Sequence, residues 1–483
     1  MTERSSDPGA KIVTRGPLRK KPIGPAHFET GLERSIGLWQ LTAIGLGAII
    51  GAGIFALAGT VAKNDAGPAV TISFVIAGIA SACAAFSYAE FGGMIPRSGS
   101  AYTYGYATLG EAVGWFIGWD LLLEYTAIVA VVAIGVSQYV GYLFTSFGVD
   151  LPAWMLGAPG TGPGHRIDLF AVILCIGVAA LLNRGIKSGA RTEFWLVFIK
   201  IAIVLAVIIV GAFYIKPSNL TPYFPYGFGG AVTGAATVFF AVFGYDAMST
   251  AAEESKSAER NLPKAVMLSL AIAMVLYLLA ATVLTGIQKY TDLSDSAAFA
   301  FAFEAVGQPV FAKVVAVGAI IGIFTVLFSF TLGASRVWFA MSRDGLLPRW
   351  FSHTNAKRSP DRPVWIVGIV AAGIGGFVPI GSAAELTNIG ILLAFVVVSV
   401  SVIVLRYRRP EVPRTFRLPF MPVTPILGII FSIWLVTKLQ PITWLRFVIW
   451  FIIGALIYIF YSYRHSRLAH GEVVDEEPPT PRS

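Results

Sequence analysis

The chain has 483 residues, of which 56 % are hydrophobic and 13 % charged, and its formal net charge is +9. With a mean hydropathy of +0.72, it falls far short of the ~25 % charged residues of soluble domains. A string of soluble domains is therefore excluded, and a polytopic, all-α membrane protein is expected.

A spanning helix needs about 20 mainly apolar residues. Twelve such spans are predicted in chain order: 39–62, 69–95, 113–143, 168–183, 191–215, 231–252, 264–288, 308–342, 363–381, 383–406, 422–439 and 442–463. Residues 1–35 and 466–483 are polar, charged and proline-bearing, and read as disordered tails flanking a transporter domain at 36–465. No short apolar stretch with a small-residue cleavage site precedes span 1, so no removable signal peptide is expected.

Cytoplasmic loops carry the excess of Lys and Arg. With both termini inside, 27 of the 36 basic residues fall on cytoplasmic segments. Lys63, Arg166, Lys216, Lys289, Lys438 and Arg446 fall outside, while Lys200, Lys313 and Arg336 lie within or near spans. The positive charge is thus a topogenic signal, with attraction to anionic lipid headgroups as a secondary effect, and needs no nucleic-acid partner.

Span 1 contains GLGAIIGAGIF at 45–55. Glycine costs about 1 kcal/mol relative to alanine at each helix-interior position, so this density predicts a discontinuous helix. Unpaired backbone groups at membrane depth are tolerated only where they line a protein cavity. The competing explanation is close packing of small residues between helices. Span 6 repeats the pattern in TVFFAVFGYDAMSTAAEE, with Gly244 followed by Asp246. Two interrupted helices at matching positions point to inverted repeats with a midplane site. Spans 1 to 5 and 6 to 10 would be the repeats (about 39–215 and 231–406), and spans 11 and 12 (about 422–463) an addition.

The amides of Gly51, Ala52 and Gly53 would stand at the positive end of a half-helix, suited to a carboxylate. Carbonyls near Phe239, Ala241 and Phe243 would suit an ammonium group. Asp246 either caps the second half of span 6 or contacts the solute. Lys200, central in span 5, is costly enough to imply a function, either proton-linked or standing in for a cation, against a static bond to broken backbone. Glu124 in span 3 pairs with Lys200, reads a basic solute side chain or is a satisfied structural acid; Asp120 is near-interface and structural. Ser329, Phe330 and Thr331 in span 8 could wall a solute side chain, and Phe239, Phe240, Phe243 and Tyr245 could form an aromatic lid.

All five histidines, His27, His165, His353, His465 and His470, lie in tails or loops. No metal motif or phosphate-binding glycine loop is present, so neither a catalytic set nor a cofactor is expected. Cys83 and Cys175 fall within spans 2 and 4 and read as small apolar side chains.

Together GAIIGAGIF, SYAEFGGMIPRSGSAYTYGYATLGE, WDLLLEY, FFAVFGYDAMSTAAEE and SRDGLLP resemble the amino acid-polyamine-organocation superfamily, most closely its cationic amino acid transporter branch in bacterial form. The resemblance covers roughly Leu32 to Arg467. It implies the bacterial leucine-transporter fold, a plasma-membrane location, and alternating access. It also implies an α-carboxylate at Gly51, Ala52 and Gly53, an amino group on carbonyls of Phe239, Ala241 and Phe243, Lys200 where sodium sits in sodium-coupled relatives, and the family glutamate at Glu124. Pocket length would be tuned at Phe330 or Thr331. Many members carry Ser or Thr where this chain has Ala52, so a hydroxyl contact is missing while the N–H remains.

The expected activity is a proton-coupled, sodium-independent permease for small neutral or cationic L-amino acids. Two alternatives stand beside it: an amino acid or polyamine exchanger without ion coupling, and a transporter-like sensor that binds without turnover.

Overall fold

The computed structural model describes residues 17, 19–20, 36–94, 100–184, 190–246, 248, 255–355 and 360–470. Among these the fold is all helical, and the only pairings of extended backbone are isolated bridges, Ile36 with Ser255 and Leu156 with Asp168.

In chain order the helices are α1 (Leu38–Ile49), α2 (Ala58–Val61), α3 (Val70–Met94), α4 (Ser100–Thr108), α5 (Glu111–Ser146) and α6 (Leu169–Asn183). There follow α7 (Ala190–Ala212), α8 (Gly227–Val238), α9 (Ala258–Ile287), α10 (Ala298–Ala305) and α11 (Pro309–Arg343). The last are α12 (Asp361–Phe377), α13 (Ile380–Arg408), α14 (Val423–Val436), α15 (Pro441–Ile457) and the short α16 (Tyr463–His465). Seven helical stretches are long and apolar enough to cross a membrane, with shorter apolar helices at Leu169–Asn183, Gly227–Val242 and Val423–Val436.

One of the seven, Leu38–Met94, is 57 residues long. At about 1.5 Å per residue that is nearly three bilayer cores, and it folds back on itself at Gly67. There φ is +63°, Pro68 follows, and a Cβ would meet Pro225 Cγ at 2.2 Å.

The longest interfaces run between α5 and α11, α3 and α9, and α6 and α12, with α13 along α5 and α1 along α9. Trp115, Tyr125, Tyr139 and Tyr277 are fully buried within them. Outward faces carry exposed Ile, Leu, Val and Phe, as on α15, where Leu445, Val448, Ile449 and Ile452 are exposed. Such a belt has no place in water and fits a lipid surround.

Two segments outside the predicted spans are built elements. The segment between spans 2 and 3 forms α4, whose Tyr102, Tyr104 and Tyr106 are buried, and the 289–307 segment carries α10. Both escape an apolar-run criterion because they are far shorter than a span. Cys83 and Cys175 are free thiols.

The described parts of the tails depart from the expectation of disorder. Glu111 and Ala112 amides donate to Arg19 O (2.8 Å) and Pro17 O (2.9 Å), while the Arg19 guanidinium lies 3.7 Å from the Glu111 carboxylate and 4.9 Å from the Tyr463 ring centroid. Glu111 also accepts from the hydroxyls of Tyr106, Tyr458 and Ser466. A buried carboxylate requires a counter-charge and donors, and both chain ends are recruited to supply them. Nearby, burial and the charges of Arg408 and Arg409 push the Lys20 amine below its ordinary range.

On the same face Glu90 of α3 is buried and bonded by Arg406 and Arg414 (Nε at 3.1 Å each) and by the Leu418 amide at 2.8 Å. Breaking a buried charge cluster by removing one partner costs ~3–5 kcal/mol. Glu90→Ala is therefore expected to lower the apparent melting temperature by about 5 °C, read by fluorescence melting in detergent; an unchanged melt would show that the cluster is not holding this face.

Candidate functional site

The first break lies where the glycine run predicts it. α1 ends at Ile49, and Ile50 is extended, with φ −76° and ψ 103°. The chain then resumes as a π turn at Gly53–Leu57 that runs into α2. The carbonyls left by the break are taken up by side chains from two other helices. Lys200 Nζ on α7, fully buried, donates to Gly47 O at 2.7 Å and Ile50 O at 2.9 Å. Tyr277 on α9 donates to Ile49 O at 2.8 Å. Past the break, Tyr139 on α5 donates to Phe55 O at 2.8 Å.

The second break has the same construction. α8 ends at Val238, one 3₁₀ turn covers Phe239–Val242, and Phe243 is extended. Gly244 then takes φ +121°. Asn388 Nδ2 on α13 donates to Ala236 O at 2.7 Å and Thr237 O at 3.1 Å, and Ser81 on α3 donates to Val242 O at 2.8 Å. Asp246 accepts from the Tyr125 phenol. The amides it was expected to cap belong to residues 247 and 249–254, outside the described residues.

The two breaks touch through backbone. A Cβ on Gly53 would meet Ala241 Cβ at 2.3 Å and its Cα at 2.4 Å, and one on Gly244 would meet the Ala48 carbonyl at 2.9 Å. Neither position tolerates a side chain, so the glycines are fixed by the crossing itself.

At this crossing lies a small cavity of about 10 Å³, lined by Ala48, Ile49, Gly51, Ala52, Ile128, Phe240, Phe243, Val326 and Phe330. That is room for about one water molecule, far below the ~300–1,000 Å³ of sites for drug-sized ligands. Of the residues singled out by sequence, Gly51, Ala52, Phe240, Phe243 and Phe330 reach its wall. Gly53 and Ala241 are spent on the crossing, and Phe239 packs on Phe395 with centroids 5.6 Å apart.

At span 8 it is Phe330 that lines the cavity, and it also meets Tyr125 edge-on at 5.3 Å. The Thr331 hydroxyl turns back to Leu327 O at 2.7 Å, as such residues do in apolar helices. Glu124 is buried, and among the described residues neither carboxylate oxygen has a hydrogen-bond partner. It lies one turn from Ile128, off the cavity wall.

Ile128 and Val326 were missed by the sequence reading, although each is four residues from a flagged residue and so on its face. Asn388, Tyr277 and Tyr139 carried no signal, because a polar residue in an apolar helix does not announce which carbonyl it meets.

Beyond the break Phe55 contacts Tyr139 and Phe299 edge-on at 6.3 and 6.1 Å. Lys63 Nζ reaches Asp295 at 2.7 Å, so α10 and its lead-in close that end. At the opposite end Phe243, Tyr245 and Phe395 cluster with centroids 5.7–6.0 Å apart, Tyr245 stacked on Phe395 and Phe243 inclined to both. No group of three or more metal-ligating side chains is found among the described residues. The arrangement offers backbone groups of both breaks and apolar walls around a narrow centre.

Comparison with known proteins places the chain in a family. Residues 36–461 match the family model described as amino acid permease. A methylthioribose transporter of Bacillus subtilis is 45 % identical, over 93 % of this chain and 99 % of its own. A branched-chain amino acid permease of the same organism is 43 % identical, over 93 % and 98 %. A vacuolar cationic amino acid transporter of Arabidopsis thaliana is 34 % identical, over 82 % of this chain and 68 % of its own.

The crossing can be tested without any ligand. Gly244→Ala forces a side chain into a backbone conformation reserved for glycine and against the Ala48 carbonyl, and should cost at least ~2 kcal/mol. Gly373→Ala, in α12 with nothing within 4 Å, should be neutral or stabilise by up to ~1 kcal/mol. Thermal unfolding of both in one detergent reads the contrast, and equal melting of the two variants would refute the close crossing.

Proposed function

Because the chain belongs to the amino acid permease family of the amino acid-polyamine-organocation superfamily and is a transporter, not an enzyme, we propose that it takes up a small neutral L-amino acid together with a proton. The observation that carries this reading is the cavity at the crossing of two broken helices, beside carbonyls held by the Lys200 ammonium.

In this reading the twelve predicted spans form two inverted repeats of five with two helices appended. The packing supports it. Contacts of α3 with α9, α5 with α11 and α6 with α12 each join a span to the one five further on. The contact of α1 with α9 is matched by that of α8 with α3, and that of α7 with α11 by α13 with α5. Both termini lie in the cytoplasm, as the distribution of Lys and Arg favours, and the membrane is the cell membrane.

The α-carboxylate sits on the amides of Gly51 and Ala52, where the outer half-helix begins and its first N–H groups have no preceding turn to bond. The α-ammonium sits on freed carbonyls, of which Phe243 reaches the cavity. The side chain lies among Ile128, Phe240, Val326 and Phe330. No carboxylate lines the cavity among the described residues, which favours a neutral substrate over a cationic one.

Lys200 is the coupling group. Its charged ammonium binds the α1 carbonyls more strongly than the neutral amine would, so proton loss loosens α1 and proton gain fastens it. Release of α1 opens the cytoplasmic side, and closure of α10 over Phe55 seals the other.

A second reading follows from the 45 % identical relative named for methylthioribose, a neutral thioether sugar without a carboxylate. Purified protein in liposomes, given radiolabelled alanine, valine, arginine and methylthioribose with an inward proton gradient and no sodium, separates the two. Gradient-driven accumulation of alanine or valine is expected, and absence of any amino acid accumulation would overturn the reading. Counterflow that ignores the gradient would indicate an uncoupled exchanger, and saturable binding without flux a sensor. Lys200→Ala should lower uptake about 10- to 100-fold, the worth of hydrogen bonds to a charged group, and flatten its pH dependence; a normal pH profile would remove the assigned role.

A further inference from the structure

We infer that Asn388 is the repeat counterpart of Lys200, a positioning residue that fastens the first half of the second broken helix as Lys200 fastens the first. The inference rests on the inverted-repeat transport reading for its role, but its geometry stands alone. Lys200 follows the carbonyls it holds, Gly47 and Ile50, by 153 and 150 residues. Asn388 follows Ala236 and Thr237 by 152 and 151. Each donates two protons to the carbonyl end of a half-helix, from the last span of its own repeat.

A second pair of bonds obeys the same exchange. Ser81 on α3 holds Val242 O of the second break, and Tyr277 on α9 holds Ile49 O of the first. Four side chains on four helices thus grip two breaks in a cross-linked pattern.

The chemistry of Asn388 fits a donor post and nothing else. The residue is fully buried, its amide donates to two carbonyls of the break, and among the described residues its Oδ1 has no hydrogen-bond partner. A buried acceptor left idle is a cost, offset here by two donors aimed at two carbonyls. The posts differ in one respect, that Lys200 can gain or lose a proton and Asn388 cannot. The first break is therefore the one a proton can release, while the second stays fastened and gives the moving half a fixed partner.

The experiment compares Asn388→Ala and Asn388→Asp with the unaltered protein by hydrogen–deuterium exchange over residues 234–246, at about pH 5.5 and pH 8, together with uptake in liposomes. Aspartic acid donates one proton when protonated and none when ionised. Asn388→Ala should raise exchange in this segment about tenfold at both pH values, the effect of a lost hydrogen bond of typical net strength. Asn388→Asp should do so at pH 8 and return to near the unaltered protein's protection at pH 5.5, with uptake rising in parallel as the medium is acidified.

Unchanged exchange in both variants, or an Asn388→Asp profile as flat as that of Asn388→Ala, would overturn the assignment; the latter would mean that Asn388 only fills space. If the unaltered protein transports no amino acid, the transport reading fails on that result, and the exchange data still decide the place of Asn388.

Discussion

The structure depends on one steric and electrostatic constraint: two interrupted helices cross in backbone contact, and each leaves carbonyls that must find donors. Gly53 against Ala241 and Gly244 against Ala48 set the distance. At that distance the helices cannot continue, because a regular turn would put side chains where backbone already lies. Freed carbonyls in a water-poor interior cost several kcal/mol each unless bonded. Lys200, Asn388, Tyr277, Ser81 and Tyr139 supply the bonds, and so the long helices that carry them are tied to the crossing.

That arrangement separates holding from binding. The carbonyls nearest the ends of α1 and α8 are occupied by protein donors, while the cavity wall between them is made of Gly51, Ala52, Phe243 and apolar side chains. In the proposed reading a solute entering there would meet the backbone of Gly51, Ala52 and Phe243. Such a site pays little reorganisation on binding, because its dipoles are fixed by the same bonds that fix the helices. It also makes the helix halves sensitive to those bonds: weakening one post frees a half-helix without unfolding it, the kind of discrete two-state element that alternating access requires.

Much of this was legible in the sequence because it is written in residue types that are costly where they stand. Four glycines within GLGAIIGAGIF and a lysine in the middle of span 5 mark the first break and its post, and Gly244 marks the second. Phe330 and Thr331 are adjacent, so the sequence named the right turn of α11 but not the face, which depends on how that helix is rotated against α5. At the second break the carbonyls that meet a side-chain donor are those of Ala236, Thr237 and Val242, none of them among those expected to face the solute. Phe239 and Ala241 were expected to offer oxygens to the solute, whereas the turn they form packs against Phe395 and Gly53. Asn388 was invisible for a different reason: one amide in a long apolar helix has no periodicity, and only the fold brings it to Ala236. The tails misled for a third reason, since the polar composition that reads as disorder does not reveal that buried Glu111 takes Arg19 and Ser466 as partners.

The walls narrow what the proposed site can accept. Ile128, Phe240, Val326 and Phe330 offer no polar atom from their side chains, and Glu124, the nearest flagged acid along α5, is one turn off the wall. A cationic side chain would have to leave water for that apolar surface with no counter-charge on the wall, at a cost that pairing must recover. A methyl or branched aliphatic side chain gains on entering the same surface, by about 0.8 kcal/mol per buried methylene. Size sets the other limit, because Phe330 is itself packed edge-on against Tyr125, whose phenol is bonded to Asp246. The ring that ends the cavity is thereby braced by the second break, so the length of solute admitted and the closure of the helix that binds it are set by one chain of contacts.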